Sequence, residues 1–192
     1  MTLEEVISIF KKTGALLEGH FVYTSGRHGR QFLQAARVLQ HPNHTEALCK
    51  ALADNFRNQR VQLVVGPATG GIILAYETAR HLGVRGVFTE KEGKDGMVLK
   101  RGFALKPGTR VLVVEDITTT GGSVRKAANH VRDRGAVVVG IRAIIDRGGG
   151  EARFDVPCQT LAAVSMESWQ PADCPLCKAG EPLIEPDDIV ID

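Results

Sequence analysis

The stretch of sequence that decides the fold is VLVVEDITTTGGS, residues 111–123. Its first four residues are valine and leucine, which predicts a short buried strand. Two carboxylates, Glu115 and Asp116, follow at the carboxyl end of that strand. The residues from Ser123 to Arg134 then show helical spacing and end at a glycine. We therefore predict a strand, a polar turn and a helix in succession.

The predicted turn suits a phosphate group. Ligands of open parallel sheets bind beyond the carboxyl ends of the strands. The N-terminus of the following helix offers unpaired N–H groups and a dipole that favour an anion. Glycine lets the backbone approach a ligand closely, and hydroxyl groups add hydrogen bonds. The predicted phosphate-binding residues are Ile117, Thr118, Thr119, Thr120, Gly121, Gly122 and Ser123.

The acid pair restricts which phosphate compound can bind. Two carboxylates repel a phosphate unless another group lies between them, and a ribose 5-phosphate meets that condition. Its 5-phosphate enters the turn while its hydroxyls donate to Glu115 and Asp116. The same carboxylates favour positive charge that develops on the sugar ring. A helix cap is the simpler alternative, but a cap accounts for one such residue and not for the whole run.

Apolar runs and helical patterns alternate along the rest of the chain. This alternation predicts an α/β fold with a parallel sheet covered by helices on both faces. We expect one domain over residues 1–192, with a small N-terminal cap, or hood, over about 1–60. The core sheet would occupy about 61–168, and a surface extension about 169–192. The predicted helices are 3–12, about 44–59 and 72–81, and the predicted strands are 63–65, 84–89, 137–145 and 161–164.

Composition argues against several function classes. A net charge of +2 is too small for a general nucleic-acid binder. No apolar run is long enough for a membrane span or a secretory signal, so we expect a cytoplasmic protein. Four cysteines in 192 residues fit free thiols in a reducing compartment. Cys174 and Cys177 have the spacing of half a zinc site. Because no second pair follows, the sequence favours a surface turn with free thiols.

Residues 111–123 resemble the phosphoribosyl pyrophosphate signature of type I phosphoribosyltransferases. The resemblance extends over most of the chain and is greatest to the orotate branch of that family. It includes LEGHFVYTSGR at residues 17–27, FLQ at 32–34 and the pair Asp146-Arg147. The GPATGG loop at 66–71 resembles the pyrophosphate loop of the family.

The resemblance implies an activity and a set of contacts. The implied reaction transfers a 5-phosphoribosyl group from phosphoribosyl pyrophosphate to orotate. Mg²⁺ would be held mainly through the substrate, without a dedicated protein metal cage. Arg147 follows a buried strand, and its planar guanidinium can bind the carboxylate or a ring carbonyl of orotate. The implied orotate contacts are Thr119, Arg147, Phe32 and Leu33.

Family members also close a basic loop over the pyrophosphate, contributed by the neighbouring subunit of a homodimer. The polar segment 90–101 is the corresponding lid here, with Lys91 and Lys94 as its catalytic cations and Lys100 and Arg101 beside them. Closure would exclude water from an activated sugar.

The chain departs from the commoner family pattern at several cationic positions. Glu90 stands where the lid usually opens with arginine, and Gly96 stands in place of a histidine. Thr24 replaces a lysine, and Thr69-Gly70 replaces a tyrosine and a lysine. Two explanations stay open: compensation by Arg27, His28 and Arg30, or membership of a divergent branch.

Two other functions remain compatible with the sequence. The first is a phosphoribosyltransferase for another base. The second is a regulator that senses phosphoribosyl pyrophosphate and binds nucleic acid. The segment at Thr24–Arg27 and Arg147 favour orotate, and residues 1–60 contain no clear recognition helix for nucleic acid. We therefore predict small-molecule substrates and neither a nucleic-acid nor a membrane partner.

Overall fold

A computed structural model describes residues 1–23, 25–93, 96–150 and 152–186. A six-stranded sheet forms the centre, in the order β5-β4-β3-β6-β7-β8. Its strands run parallel except β5, which pairs antiparallel with β4. The central strands are β3 (Leu63–Pro67), β4 (Arg85–Glu92), β5 (Gly96–Leu99), β6 (Arg110–Thr118), β7 (Val137–Asp146) and β8 (Cys158–Ala163).

Both faces of this sheet are buried. On β3 and β6, Val64 and Leu112 face one hydrophobic cluster, whereas Val65 and Val113 face another. Successive side chains of a strand point to opposite faces, so both faces of the sheet are apolar. Helices cover the sheet on each side. The helices are α1 (Leu3–Lys12), α2 (Ala36–Leu39), α3 (Pro42–Asp54), α4 (Gly70–Leu82), α5 (Gly122–Asp133) and α6 (Pro175–Lys178). The predicted fold class is confirmed, with one antiparallel edge strand added.

A second, three-stranded antiparallel sheet forms a hood. It consists of β1 (Leu16–Val22), β2 (His28–Leu33) and β9 (Ser168–Trp169). Because β9 is far along the chain from β1 and β2, the hood combines N-terminal and C-terminal segments. The division of the chain at about residues 60 and 168 stays a prediction.

The C-terminal tail, as far as residue 186, is exposed at most residues but is held to the hood at a few. Cys174 and Leu176 are buried, and Ile184 exchanges backbone hydrogen bonds with His20 and Val22 of β1. The tail therefore packs against the hood. The pairing of β9 with β2 cannot be predicted from the sequence, because it involves only two residues of each strand.

The three parallel strands β3, β6 and β7 end at the same edge of the sheet. The loops that follow them are 68–69, 119–121 and 147–150, and they lie close together there. The residues predicted to contact the sugar phosphate, 115–123, lie at this edge. Among the described residues, none of the helices is both long and apolar enough to cross a bilayer.

Candidate active site

A cleft of about 390 Å³ opens at the carboxyl ends of the strands. This volume lies in the range of small-molecule sites. All the predicted sugar-phosphate and orotate contacts line it, together with three residues of the hood and Val124. The lining residues are Tyr23, Phe32, Leu33, Gln34, Ala35, Glu115, Asp116, Ile117, Thr118, Thr119, Thr120, Gly121, Gly122, Ser123, Val124 and Arg147.

The acid pair lies within β6 and not beyond it. The sequence predicts that the strand ends at Val114, but it continues to Thr118 because β7 pairs with it along its length. Glu115 is buried, and its Oε1 accepts a hydrogen bond of 3.2 Å from the Asp116 amide. Asp116 Oδ1 accepts a 2.6 Å hydrogen bond from the Ile117 amide.

Burial is the largest influence on the protonation of both acids. It raises the pKa of Glu115 well above its ordinary value, and the adjacent Asp116 raises that pKa further. Burial also raises the pKa of Asp116, against the lowering effect of its backbone hydrogen bonds. Both carboxylates are therefore costly to ionise until a hydrogen-bond donor, such as a ribose hydroxyl, reaches them.

The turn after β6 exposes the groups expected for an anion. Thr119, Thr120, Gly122 and Ser123 are exposed at the start of α5. Gly121 has φ +76°, and a Cβ there would overlap the Phe154 ring. Glycine is therefore required at this residue for two independent reasons, its backbone conformation and the close packing of Phe154.

The GPATGG loop after β3 lies directly against the acid pair. A Cβ on Gly70 would overlap the Asp116 carboxylate, and a Cβ on Gly71 would crowd the backbone of Gly66. These glycines allow the start of α4 to approach β6. The loop predicted to hold pyrophosphate thus adjoins the residues predicted to hold the sugar.

Arg147 enters the cleft from the loop after β7. Its amide donates a 2.8 Å hydrogen bond to the Thr118 carbonyl, which ties this loop to the phosphate turn. The carboxylate of Asp146 accepts 2.7 Å hydrogen bonds from the amides of Gly148 and Gly150 and so shapes the loop. Of the predicted pair, Asp146 is structural and Arg147 is placed to meet a ligand.

Tyr23 is a cleft residue that the sequence does not single out. The Arg147 guanidinium lies 4.5 Å from the centroid of the Tyr23 ring, a cation–π contact that orients the arginine. The Tyr23 hydroxyl donates a 2.6 Å hydrogen bond to the Gln31 carbonyl. Tyr23 lies within the quoted stretch 17–27, but no spacing distinguishes it from a core aromatic.

The predicted lid forms a hairpin at the edge of the sheet. Lys91 belongs to β4 and pairs in register with Met97 of β5. Lys91 is exposed and does not line the cleft of its own chain, while Lys94 lies outside the described residues. Glu90 pairs with Arg101 through hydrogen bonds of 2.8 and 2.9 Å, so this departure from the family pattern also neutralises a lid cation.

The three basic residues considered as compensating cations have other partners. Arg27 donates to the hydroxyl and carbonyl of Ser168. Arg30 lies 3.8 Å from Glu181, and His28 contacts His20 and Cys177. None of these three side chains lines the cleft of its own chain.

Comparisons with known proteins identify the family. A sequence model of the phosphoribosyl transferase domain matches residues 34–173, which include the cleft turn and Arg147. The fold and the site thus define a phosphoribosyltransferase.

Sequence relatives indicate which kind of phosphoribosyltransferase this chain resembles. An orotate phosphoribosyltransferase from Desulforamulus reducens is 52% identical over 187 residues, 97% of each chain. One from Thermus thermophilus is 46% identical over 181 residues, 94% of this chain and 99% of the relative. The chain belongs to the orotate phosphoribosyltransferase family, and the resemblance found in the sequence is confirmed.

Solved structures show the same fold. The crystal structure of orotate phosphoribosyltransferase from Aeropyrum pernix has a TM-score of 0.68 and 28% identity, covering 83% of this chain and 93% of the other. Adenine phosphoribosyltransferase from Rhodothermus marinus has a TM-score of 0.65 and 27% identity, with coverages of 84% and 99%. The fold is therefore shared by enzymes that act on different bases, and the choice of base lies in the site.

Proposed function

We propose that the cleft transfers the 5-phosphoribosyl group from phosphoribosyl pyrophosphate to orotate, giving orotidine 5'-phosphate and pyrophosphate. One observation carries the proposal: a single cavity joins the acid pair, a helix N-terminus rich in hydroxyls, and an arginine. Each of these suits one part of the product, namely the ribose, the 5-phosphate and the orotate carboxylate.

The sugar phosphate is held by β6 and the turn after it. The 5-phosphate accepts hydrogen bonds from the backbone amides and hydroxyls of residues 118–123 at the start of α5. The ribose hydroxyls donate to Glu115 and Asp116, which compensates the cost of burying these carboxylates.

Orotate lies between the hood and the loop after β7. Arg147 binds its carboxylate or a ring carbonyl, and the Tyr23 ring keeps the guanidinium in place. Thr119 touches both the base and the sugar phosphate. Phe32 and Leu33, at the end of β2, form the wall of the base pocket.

Catalysis depends on position and charge more than on proton transfer. The base nitrogen attacks C1 of the ribose as pyrophosphate leaves, and positive charge develops on the ring. Glu115 and Asp116 are catalytic because they lie where that charge forms. A base that attacks as its anion needs no general base beside it.

The departing pyrophosphate needs cations, and the chain that forms the cleft does not supply enough of them there. Among the described residues that line the cleft, the only cationic side chain is Arg147. We assign the missing charge to Lys91 and Lys94 of a neighbouring subunit in a homodimer, whose hairpin closes as a lid. Each site would then contain residues of both subunits.

The donors in the cleft also suit Mg²⁺. Magnesium prefers oxygen ligands and is usually bound through one or two carboxylates and substrate phosphates. Glu115 and Asp116 are the carboxylates of the cleft, but they are assigned to the ribose hydroxyls, so most of the coordination would come from the substrate and water. When bound, the ion neutralises charge on the departing pyrophosphate. We place the enzyme in the cytoplasm, where its cysteines stay reduced.

The test is the loss of orotate absorbance when the purified chain meets phosphoribosyl pyrophosphate and Mg²⁺. We expect turnover with orotate and none with adenine or uracil under the same conditions. Turnover with another base alone would reassign the substrate. No turnover with any base, together with binding of phosphoribosyl pyrophosphate, would favour the regulator.

A further inference from the structure

Two histidines and two cysteines converge where the tail meets the hood. Their ligand atoms all lie within 4.8 Å of one another. His20 belongs to β1 and His28 begins β2, whereas Cys174 precedes α6 and Cys177 lies in it. The sequence separates the pairs by about 150 residues, and the fold brings them together.

We propose that His20, His28, Cys174 and Cys177 bind one structural Zn²⁺ ion. Two sulfur and two nitrogen ligands are the set that zinc prefers in closed tetrahedral sites. The chain would thus contain a Cys₂His₂ centre outside the active site.

The distances between the ligand atoms fit a tetrahedron. Zinc bonds of about 2.05 Å to nitrogen and 2.3 Å to sulfur place neighbouring ligand atoms roughly 3.3–3.8 Å apart. His20 Nε2 lies 3.1 Å from His28 Nδ1, 3.5 Å from Cys174 Sγ and 3.6 Å from Cys177 Sγ. His28 Nδ1 lies 3.2 Å from Cys177 Sγ. Small outward shifts give room for the ion.

The polar atoms around His20 Nε2 are more numerous than one hydrogen bond requires. His20 Nδ1 lies 2.8 Å from the Glu181 carbonyl, which can only accept a hydrogen bond, so Nδ1 carries the proton. His20 Nε2 then has a single lone pair, yet three polar atoms surround it within 3.6 Å. A metal ion at their centre would account for this convergence.

The contact between His20 and the Glu181 carbonyl resembles the hydrogen bond that orients a zinc-binding histidine. Histidine ligands of zinc usually donate their other N–H to a carbonyl or carboxylate, which fixes the ring. The same segment donates from the Ile184 amide to the His20 carbonyl at 2.7 Å. The tail thus supplies two zinc ligands and also orients a third.

Three of the four ligands are buried, and Cys177 is exposed, so an ion can reach the site from solvent. Binding would displace two thiol protons and leave a neutral centre of Zn²⁺ with two thiolates. Since Tyr23, Phe32 and Leu33 belong to the same hood, the ion would fasten the sheet that supplies the base pocket.

Metal content tests the proposal directly. The full chain, produced with zinc present and then gel filtered, should contain about one zinc per chain. Cys177→Ser, at the exposed ligand, should contain less than about a fifth of that. Cys158→Ser changes a cysteine of β8 outside the cluster and should retain the full amount.

A second measurement uses the wild-type protein and so does not depend on whether Cys177→Ser folds. Wild-type protein stripped with a chelator and given Co²⁺ should show thiolate-to-cobalt charge transfer and the strong visible bands of a tetrahedral ion. Its Tm should fall by more than about 5 °C on chelation and recover with zinc. Wild-type protein without zinc and without these cobalt bands would overturn the proposal. So would a Cys174–Cys177 disulfide in freshly reduced and zinc-treated protein, or unchanged zinc in Cys177→Ser.

Discussion

Glu115 and Asp116 are held in the sheet at an energetic cost that substrate relieves. Both acids belong to a strand whose burial raises their pKa, so each carboxyl group favours its protonated form before a ribose binds. An acid whose pKa is raised by folding binds a proton more tightly in the folded chain than in the unfolded chain. The stability of the free enzyme therefore depends on pH through these residues.

Glu115→Gln should make the free enzyme more stable at neutral pH. The free energy of unfolding should fall in the wild type as pH rises from about 4.3, the value of an unfolded glutamate, through the raised pKa of Glu115. The amide removes the contribution of Glu115 to this dependence, so Tm at pH 7.5 should rise by about 2–4 °C, with little difference near pH 4. Differential scanning calorimetry measures both. Glu18→Gln, an exposed control on β1, should change little, and an equal rise there would contradict the account.

The combined variant Glu115→Gln with Asp116→Asn should lose turnover. The neutral amides keep the shape but remove the charge that stabilises the sugar ring, so kcat should fall well over tenfold while the circular dichroism spectrum stays the same. Steady-state assays with orotate check this. Unchanged turnover would remove the carboxylates from the mechanism.

Arg147 should matter for orotate more than for phosphoribosyl pyrophosphate. A charged hydrogen bond contributes about 1.5–3 kcal/mol, so Arg147→Ala should raise KM for orotate roughly 10–100-fold. Initial rates at varied orotate measure the effect. Arg60→Ala, an exposed residue before β3 at the opposite edge of the sheet, is the control. Equal losses for both substrates would place Arg147 outside the base pocket.

At the scale of elements, the glycine loop after β3 is fixed by its contact with β6. Gly70→Ala should lose activity and stability because its Cβ overlaps the Asp116 carboxylate. We expect a loss of more than about tenfold in kcat/KM and a lower Tm. Gly122→Ala is the matched control for stability, since its Cβ meets only Thr120 Oγ1 at 3.7 Å and alanine favours a helix. A normal Tm and normal activity in Gly70→Ala would contradict the close approach.

The elements show which parts of the fold a sequence can predict. Helix α1 and the helix after the phosphate turn are predicted closely because their apolar spacing is regular and their ends carry capping or glycine signals. Strand β6 is longer than its apolar run predicts. Its last residues, 115–118, are mostly polar, and their pairing with Ala143, Ile145 and Asp146 of β7 keeps them in the strand.

The candidate site is predictable where neighbours in sequence are neighbours in space. The turn at 115–123 is one continuous segment, so its chemistry can be inferred locally. Tyr23 meets Arg147, and His20 and His28 meet Cys174 and Cys177, across segments that are far apart in the sequence. Such contacts depend on tertiary packing, which no local pattern encodes.

At the scale of the whole molecule, the account requires two subunits for each complete site. Lys91→Ala and Asp116→Asn should each be nearly inactive alone. If the lid serves the partner's cleft, mixed dimers contain one intact site, and equal mixing after subunit exchange should restore about a quarter of wild-type activity. Size-exclusion chromatography with light scattering should show a dimer. A lid that serves its own cleft would leave the mixture inactive.

The central claim is that the acid pair and the turn after it hold a phosphorylated pentose. A crystal structure of the chain with ribose 5-phosphate tests it most directly. We expect the phosphate within hydrogen-bond distance of the amides of residues 119–123, and the ribose hydroxyls on Glu115 and Asp116. Density for the sugar phosphate elsewhere, with both carboxylates engaged only by protein groups, would contradict the claim.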